Sequence, residues 1–467
     1  MKKLMLTLLL ACLTAVGFGQ PTGSVHIKGG TVLTITDGVM ENTDVLIEDG
    51  IITQIGQNLS TPSGVAVVDA TGKYVMPGIL DAHSHIAGVD INDASSPVTA
   101  QVKMGDSIDP NDVSIYRALA GGVTSIHLLH GSANVIGGES ETLKLRYGQD
   151  QEGLKFQDAP RTIKFALGEN PTRVHGQGRG IMPRTRMGVE QIIRMKFDEA
   201  LDHERNREEY LAAREAYENG NGPAPKPVPR NVQLETVADI LNGEILVHIH
   251  SYRADEILMI MRVFNDYGVE NYTFTHGNEA FKVATELRKN GAHASVFADW
   301  WAYKFEVYYS TAYNASILNA NDVNVSINSD SGELIRHLNH EAAKTVRYGS
   351  TSENDALRMI TINPAHQLGV DDKVGSLEEG KHGDVSIWSG HPLSIYSINE
   401  KTFVDGVKYF DREEDPDDMR IEISPTTENE HTGFEPGRNA LISGGRHFDS
   451  CMRDTEVFYL FGESSSK

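Results

Sequence analysis

Cysteine is nearly absent: the 467-residue chain holds two, Cys12 and Cys451. Cys12 lies in a leader-like start, so one thiol would remain after processing and an intramolecular disulfide framework is excluded even in an oxidising compartment. Basic charge is scarce as well. Lys and Arg number 42 against 65 Asp and Glu, for a formal net charge of -23 with no compensating basic patch. Nucleic acid and anionic membrane surfaces are therefore disfavoured as partners. Long apolar runs are confined to MKKLMLTLLLACLTAVGFGQ at the start, where the apolar stretch is too short to span a bilayer comfortably.

That start has a two-lysine n-region, an apolar centre and small residues before Gln20, as an exported bacterial signal peptide has. Residues 1–19 are expected to be removed and the protein to be periplasmic or secreted. LLAC at residues 9–12 also resembles a lipoprotein cleavage box, placed early for one, so anchoring at Cys12 is the lesser expectation. No further membrane span is expected, and a homo-oligomer is compatible with the sequence.

The length implies a large domain plus something smaller. After the leader, SVHIKGGTVLTITDGVMENTDVLIEDGIITQIGQ alternates short β-branched runs with Gly, Asp and Asn turn signals, the texture of a small antiparallel β unit. From about residue 75 the texture changes. Strand-like runs (YVMPGIL, VTSIHLLH, TIKFAL, EILVHIHS, NYTFTHG, HASVFA, NVSINSD) are separated by helix-like segments such as ADEILMIMRVFNDYG. Strict alternation predicts a parallel sheet covered by helices, and seven or eight units over roughly 290 residues fit an α/β (β/α)₈ TIM barrel. A charged helical insertion from about Met187 to Pro229 blurs the count in the middle. β texture returns over residues 373–411, so both chain ends are expected to build one small composite β-sandwich domain, residues 20–78 with 366–411, flanking a barrel over 79–365. The acidic segment 412–467 is expected to be a partly mobile tail.

Active sites of such barrels lie at the carboxyl ends of the strands. In GILDAHSHIAG the first run stops at His83 and His85, two apart and therefore on one face of a strand. EILVHIHS stops at His250, NYTFTHG at His276 and NVSINSDS at Asp330. Four imidazoles and a carboxylate on separate strand ends form a ligand set for a divalent ion, zinc first, with manganese, iron or nickel as alternatives. His248 shares the face of His250 but sits deeper, where packing is the simpler role. His130, closing VTSIHLLHG, is a candidate for substrate contact.

A second ion needs a bridging anion, for which TIKFALGEN offers Lys164 and Glu169. A lysine buried near cations is easily neutral and can take up carbon dioxide as a carbamate, whereas Glu169 would ligate directly. Metal chemistry activates water and polarises a carbonyl or imine. Asp330 is then either the proton acceptor and donor of the reaction or simply a ligand. Arg184 and Arg186 in MPRTRMGVE could clamp a substrate carboxylate.

PGILDAHSH, VHIHS, FTHG and NSDS, in that order, resemble the metal motifs of the amidohydrolase superfamily, and VGSLEEGKHGDVSIWSGHPL resembles its composite sandwich domain. The likeness covers roughly residues 24–411 and is nearest to the imidazolonepropionase-related and Xaa-Pro dipeptidase-like branch. It implies a barrel with one or two metals that hydrolyses a C–N bond. His83 and His85 would hold the more buried ion, His250 and His276 the second, and Asp330 would shuttle protons. TIKFALGEN departs from the pattern expected around the bridging lysine. The resulting expectation is an exported metal-dependent amidohydrolase acting on a small molecule or dipeptide; the alternatives are a deaminase or cyclic amidase on a mononuclear site and a non-catalytic binding barrel.

Overall fold

The computed structural model describes residues 20–301, 304–415 and 419–420. The expected signal peptide, both cysteines and nearly all of the acidic tail lie outside them.

The described residues contain two eight-stranded sheets. The first takes β1 (Val25–Leu33), β2 (Val39–Glu48), β3 (Ile51–Gly56), β4 (Ala66–Asp69) and β5 (Tyr74–Pro77) from the N-terminal side. From the other end of the chain it takes β14 (Val385–Trp388), β15 (Asn399–Val404) and β16 (Val407–Asp411). Its order is β16-β15-β14-β5-β1-β2-β3, with β4 beside β1, and the antiparallel pairing of β5 with β14 joins the two chain ends. Two of its hairpins turn on Asp49–Gly50 and Asp405–Gly406, and all four residues have positive φ. Asp-Gly suits such two-residue loops because both positions must be left-handed to match the twist of the strands.

The second sheet runs in chain order through β6 (Ile79–Ser84), β7 (Val123–Leu128), β8 (Ile136–Lys144), β9 (Arg161–Ala166), β10 (Ile245–Ser251), β11 (Tyr272–His276), β12 (His293–Val296) and β13 (Val325–Ile327). It curls into a nearly closed barrel. The segment at Met359–Ile360 fills the gap between its edges: Ile327 N–H donates to Met359 O (2.9 Å) and Leu80 N–H to Ile360 O (2.9 Å). At the rim the Asp330 N–H donates to His83 O at 3.1 Å.

The strict parallel alternation expected from the sequence fails at one strand. β8 runs antiparallel to both β7 and β9, so a hairpin-like excursion replaces a βα unit. Its sequence IGGESETLK is polar and lacks the apolar run that marks its neighbours. Its Glu139 is satisfied at long range: the Arg161 guanidinium donates to both of its oxygens at 3.0 Å.

Alternation along β9 positions the interior. Phe165 points outward onto Phe197 and Phe264, at ring distances of 6.4 and 6.1 Å, which seats the insertion helix Arg186–Glu218 on the barrel. Lys164, one residue earlier, points inward. The insertion helix buries Val189, Ile192, Ile193, Phe197 and Ala200 in its first half and leaves its charged second half exposed. Among the described residues no helix is long and apolar enough to cross a membrane.

A buried ion cluster locks the two sheets together. Lys144 at the end of β8 is fully buried and donates to Asp384 Oδ1 (2.9 Å), to Asp405 Oδ1 and to His382 Nδ1 (2.7 Å). Arg146 Nε donates to Asp405 Oδ2 at 2.8 Å. Removing the central cation leaves a buried carboxylate uncompensated, a defect of about 3–5 kcal/mol. Lys144→Ala is therefore expected to lose about that much stability in urea denaturation; a change under about 1 kcal/mol would mean the cluster is not what joins the sheets.

Candidate metal centre

The carboxyl ends of the barrel strands converge on one buried cluster. His83 on β6 and His85 just beyond it bring their Nε2 atoms to 3.2 Å of each other. Asp330, in the loop after β13, places Oδ1 at 3.4 Å from His83 Nε2 and 3.2 Å from His85 Nε2. His276 Nε2 lies 3.7 Å from Asp330 Oδ2, and its ring centroid 4.4 Å from that of His83 and 4.9 Å from that of His250. Lys164 Nζ is 3.4 Å from His83 Nε2. His83, His276 and Asp330 can each offer one ligand atom within 4.8 Å of the others.

Two of these residues depend on unusual backbone geometry. On β11, Tyr272 and Phe274 face outward; Tyr272 packs against Phe264 with ring centroids 4.9 Å apart. Alternation would send His276 outward as well. Its φ of +71° instead turns the side chain into the site. Asp330, at φ +46°, is likewise left-handed. Such conformations cost about 1–3 kcal/mol for residues other than glycine and persist where the surroundings impose them, commonly at functional sites.

The electrostatics suit a cation. Burial holds the His83 and His250 pKa well below the ordinary histidine value and lowers His276 to about 3, so these rings are neutral with lone pairs to offer. Burial pushes the Asp330 carboxyl up, but its contacts with His85 and His276 and the nearby Lys164 outweigh it and keep it below the ordinary carboxylate range. His83 Nδ1 and both His276 ring nitrogens are buried without a hydrogen-bond partner among the described residues. His85 Nδ1–H donates to Leu129 O at 2.9 Å, which fixes the tautomer that presents Nε2 inward. Buried acceptors left open beside an ionised carboxylate are a donor set that fits a divalent ion.

Several supporting residues were not expected from the sequence. Asp81 accepts the His83 and Ser329 backbone N–H groups on Oδ1 (3.1 and 3.2 Å) and the Ser329 hydroxyl on Oδ2, and burial pushes its carboxyl up to about 7. Its signal was present, since Asp81, His83 and His85 share one strand face. Ser132 Oγ lies 2.9 Å from His250 Nδ1, a long-range pairing without a sequence signal. Tyr252 and Phe297 sandwich the His276 ring at centroid distances of 5.4 and 4.7 Å, and Trp300 stacks on Phe297 at 4.4 Å. Lys304 Nζ stands 4.1 Å from the centroid of Tyr252.

The other candidates make contacts outside this cluster's ligand atoms. His130 spends both ring nitrogens on the backbone, Nδ1–H on Gly131 O (2.9 Å) and Nε2 on the Asp93 N–H (3.0 Å). Glu169 lies near Lys304 (3.7 Å) and Arg173 (3.8 Å). Arg186 is held by two buried glutamates, Glu256 and Glu306. Arg184 is exposed and donates to Gly180 O at 2.7 Å. His248 is fully buried, with His127 edge-on at 4.3 Å.

With this fold and cluster in view, comparison with known proteins identifies the class. The amidohydrolase family model matches residues 74–409. The chain belongs to the amidohydrolase family, as the motifs from His83 to Asp330 had implied. It is 30% identical over 395 residues to the amidohydrolase tasK of Hapsidospora irregularis, covering 79% of this chain and 40% of that protein. The chain thus spans about two fifths of that relative's length. A crystal structure of an amidohydrolase from Thermotoga maritima superposes with a TM-score of 0.76 at 33% identity, over 83% of this chain and all of the other. A putative prolidase from Bifidobacterium longum shares the fold at 17% identity and a TM-score of 0.51, over 83% of this chain and 95% of its own.

Proposed function

We propose that this protein is an exported metal-dependent hydrolase that cleaves a C–N bond in a small amide, dipeptides being the first class to test. The observation that carries the reading is the buried group His83, His85, His276 and Asp330, with Lys164 at its side. A bound divalent ion, zinc first among the candidates, supplies a Lewis acid and an acidified water. His83 and His85 would hold the more buried ion and His250 and His276 a second, with Lys164, as a carbamate, between them. Asp330 takes the proton of the attacking water on its carboxylate and returns it to the departing nitrogen. Ser132 orients His250, and Tyr252 with Phe297 walls the site against bulk water. The leader-like residues 1–19 support export.

Elemental analysis of the purified mature protein, prepared in bicarbonate without chelators, tests the reading. About two ions per chain are expected, because Lys164 lies within reach of the cluster. One ion would favour a deaminase or cyclic amidase on a mononuclear site, and a chain that cannot be loaded with metal would overturn the hydrolytic reading.

A further inference from the structure

Arg186 and its two glutamates form a junction that the proposed reaction does not use. The guanidinium, on the first residue of the insertion helix, donates through Nη2 to Glu306 Oε1 at 2.6 Å and through Nε to Glu256 Oε1. Glu256 lies in the first turn of the helix Ala254–Tyr267 that follows β10, and Glu306 in the turn Phe305–Val307 that follows β12. Glu306 Oε1 also accepts the Glu169 N–H at 3.1 Å, just beyond the end of β9. One guanidinium and one carboxylate oxygen thus join chain from three strand ends, on the rim that carries the metal centre.

The junction is tightly packed and highly charged. Glu256 and Glu306 are both buried, and a Cβ at Gly168 would collide with Glu306 Oε1, so only glycine fits there. Burial pushes the Glu256 carboxyl up, Glu306 adds to the shift and Arg186 opposes it. Lys304 Nζ stands 3.9 Å from Glu306 Oε2. Two carboxylates gathered in a buried place repel each other, so the position of Glu306 depends on the cation it shares with Glu256.

What Glu306 carries bears on His276. Its neighbour Val307 is fully buried and clusters with Tyr252 and Phe297, the two rings that sandwich His276, and Trp300 packs against the group. The same stretch of chain holds the turn that His276 begins. Asn278 Nδ2 donates to Trp300 O at 3.1 Å and to Ser310 Oγ at 2.7 Å. Asn314 Nδ2 donates to Gly277 O at 2.9 Å, and the Phe281 N–H to Asn314 Oδ1 at 3.0 Å. Residues on both sides of Glu306 therefore surround a histidine whose φ of +71° is unfavourable unless its neighbours impose it.

We propose that Arg186 is a positioning residue of the metal centre: by clasping Glu256 and Glu306 it fixes the chain from Lys304 to Asn314, which in turn holds His276 in the left-handed conformation that aims its ring into the cluster. The inference rests on the reading of His276 as a metal ligand. It gives the insertion a role at the site, since the helix that interrupts the barrel begins with the residue that makes the clasp. Arg186 acts through Glu306, the aromatic pair and the Gly277–Asn278 turn.

The test compares the full-length protein with R186M, R186K and E306Q, each stripped of metal and titrated with zinc against a chromophoric chelator, well below its thermal transition. R186M keeps much of the side-chain volume and loses the charge. It is expected to bind at least one zinc ion about tenfold or more weakly, as loss of an outer partner of a ligand does. R186K should recover part of the affinity, because it restores the cation without the planar fork. E306Q leaves Arg186 paired with Glu256 and strands no buried charge; it should weaken zinc in the same direction, which keeps the test available should R186M fail to fold. Of the three tryptophans, Trp300 and Trp301 adjoin the clasped chain and Trp388 is buried in the other sheet, so acrylamide quenching of the emission should rise in R186M. A purely structural role would lower the thermal transition and leave the zinc affinity of the folded variants unchanged, and that result would overturn the proposal. A parent that binds no zinc would overturn the reading of His276 as a ligand as well, so the parent alone tells the two failures apart.

Discussion

Asp330→Asn is expected to lower turnover by about 10²–10⁴-fold while the fold survives. Asparagine keeps the size of the side chain and is among the few residues that tolerate the left-handed conformation found at Asp330 (φ +46°). What it loses is the ability to accept a proton beside His85 and to return it. If proton transfer is the defect, kcat falls with little change in KM once metal is saturating. Thermal melts and metal content measured alongside the kinetics separate this from unfolding or ion loss. Near-normal turnover in a metal-loaded variant would remove Asp330 from the mechanism.

The second large effect is expected at Lys164. Its side chain is fully buried, with Nζ 3.4 Å from His83 Nε2, in a group of neutral imidazoles. Lys164→Met fills nearly the same volume, so packing loss is small and the change tests the amine alone. If Lys164 bridges two ions as a carbamate, the variant should bind one fewer ion per chain. Turnover should fall by about two orders of magnitude or more, as loss of a Lewis acid worth several kcal/mol implies. Short carboxylic acids such as acetate should restore part of the activity to Lys164→Ala, which leaves room for them. Unchanged metal content in both variants would remove the bridge.

How far these residues were readable depends on the range of the interactions that place them. Apolar runs ending in His83, His85, His250, His276 and Asp330 marked the strand ends, because a barrel strand buried on both faces is apolar until it reaches the rim. The Asp-Gly pairs at 49–50 and 405–406 marked hairpins, because the backbone there needs two left-handed residues in succession. These signals are local, written in a few consecutive side chains. β8 carried none, since Glu139 is satisfied by Arg161 on the next strand rather than by its chain neighbours. The partners of Arg186 were equally hidden, Glu256 and Glu306 lying 70 and 120 residues away.

The motifs therefore announced the family, the barrel and the histidines and carboxylate gathered at its rim, since period-two burial and strand-end chemistry are properties of short segments. Whether those residues meet was a matter for the folded chain. His276 belongs by alternation to the outer face of β11 and reaches the cluster only because its backbone is held at φ +71°. Asp81 ties β6 to Ser329, and the Asp330 N–H meets His83 O, across a gap that no strand fills. Left-handed backbone, rim closure and the pairing of Arg186 with Glu256 and Glu306 are all imposed by neighbours distant in sequence, whose positions exist only once both sheets have formed.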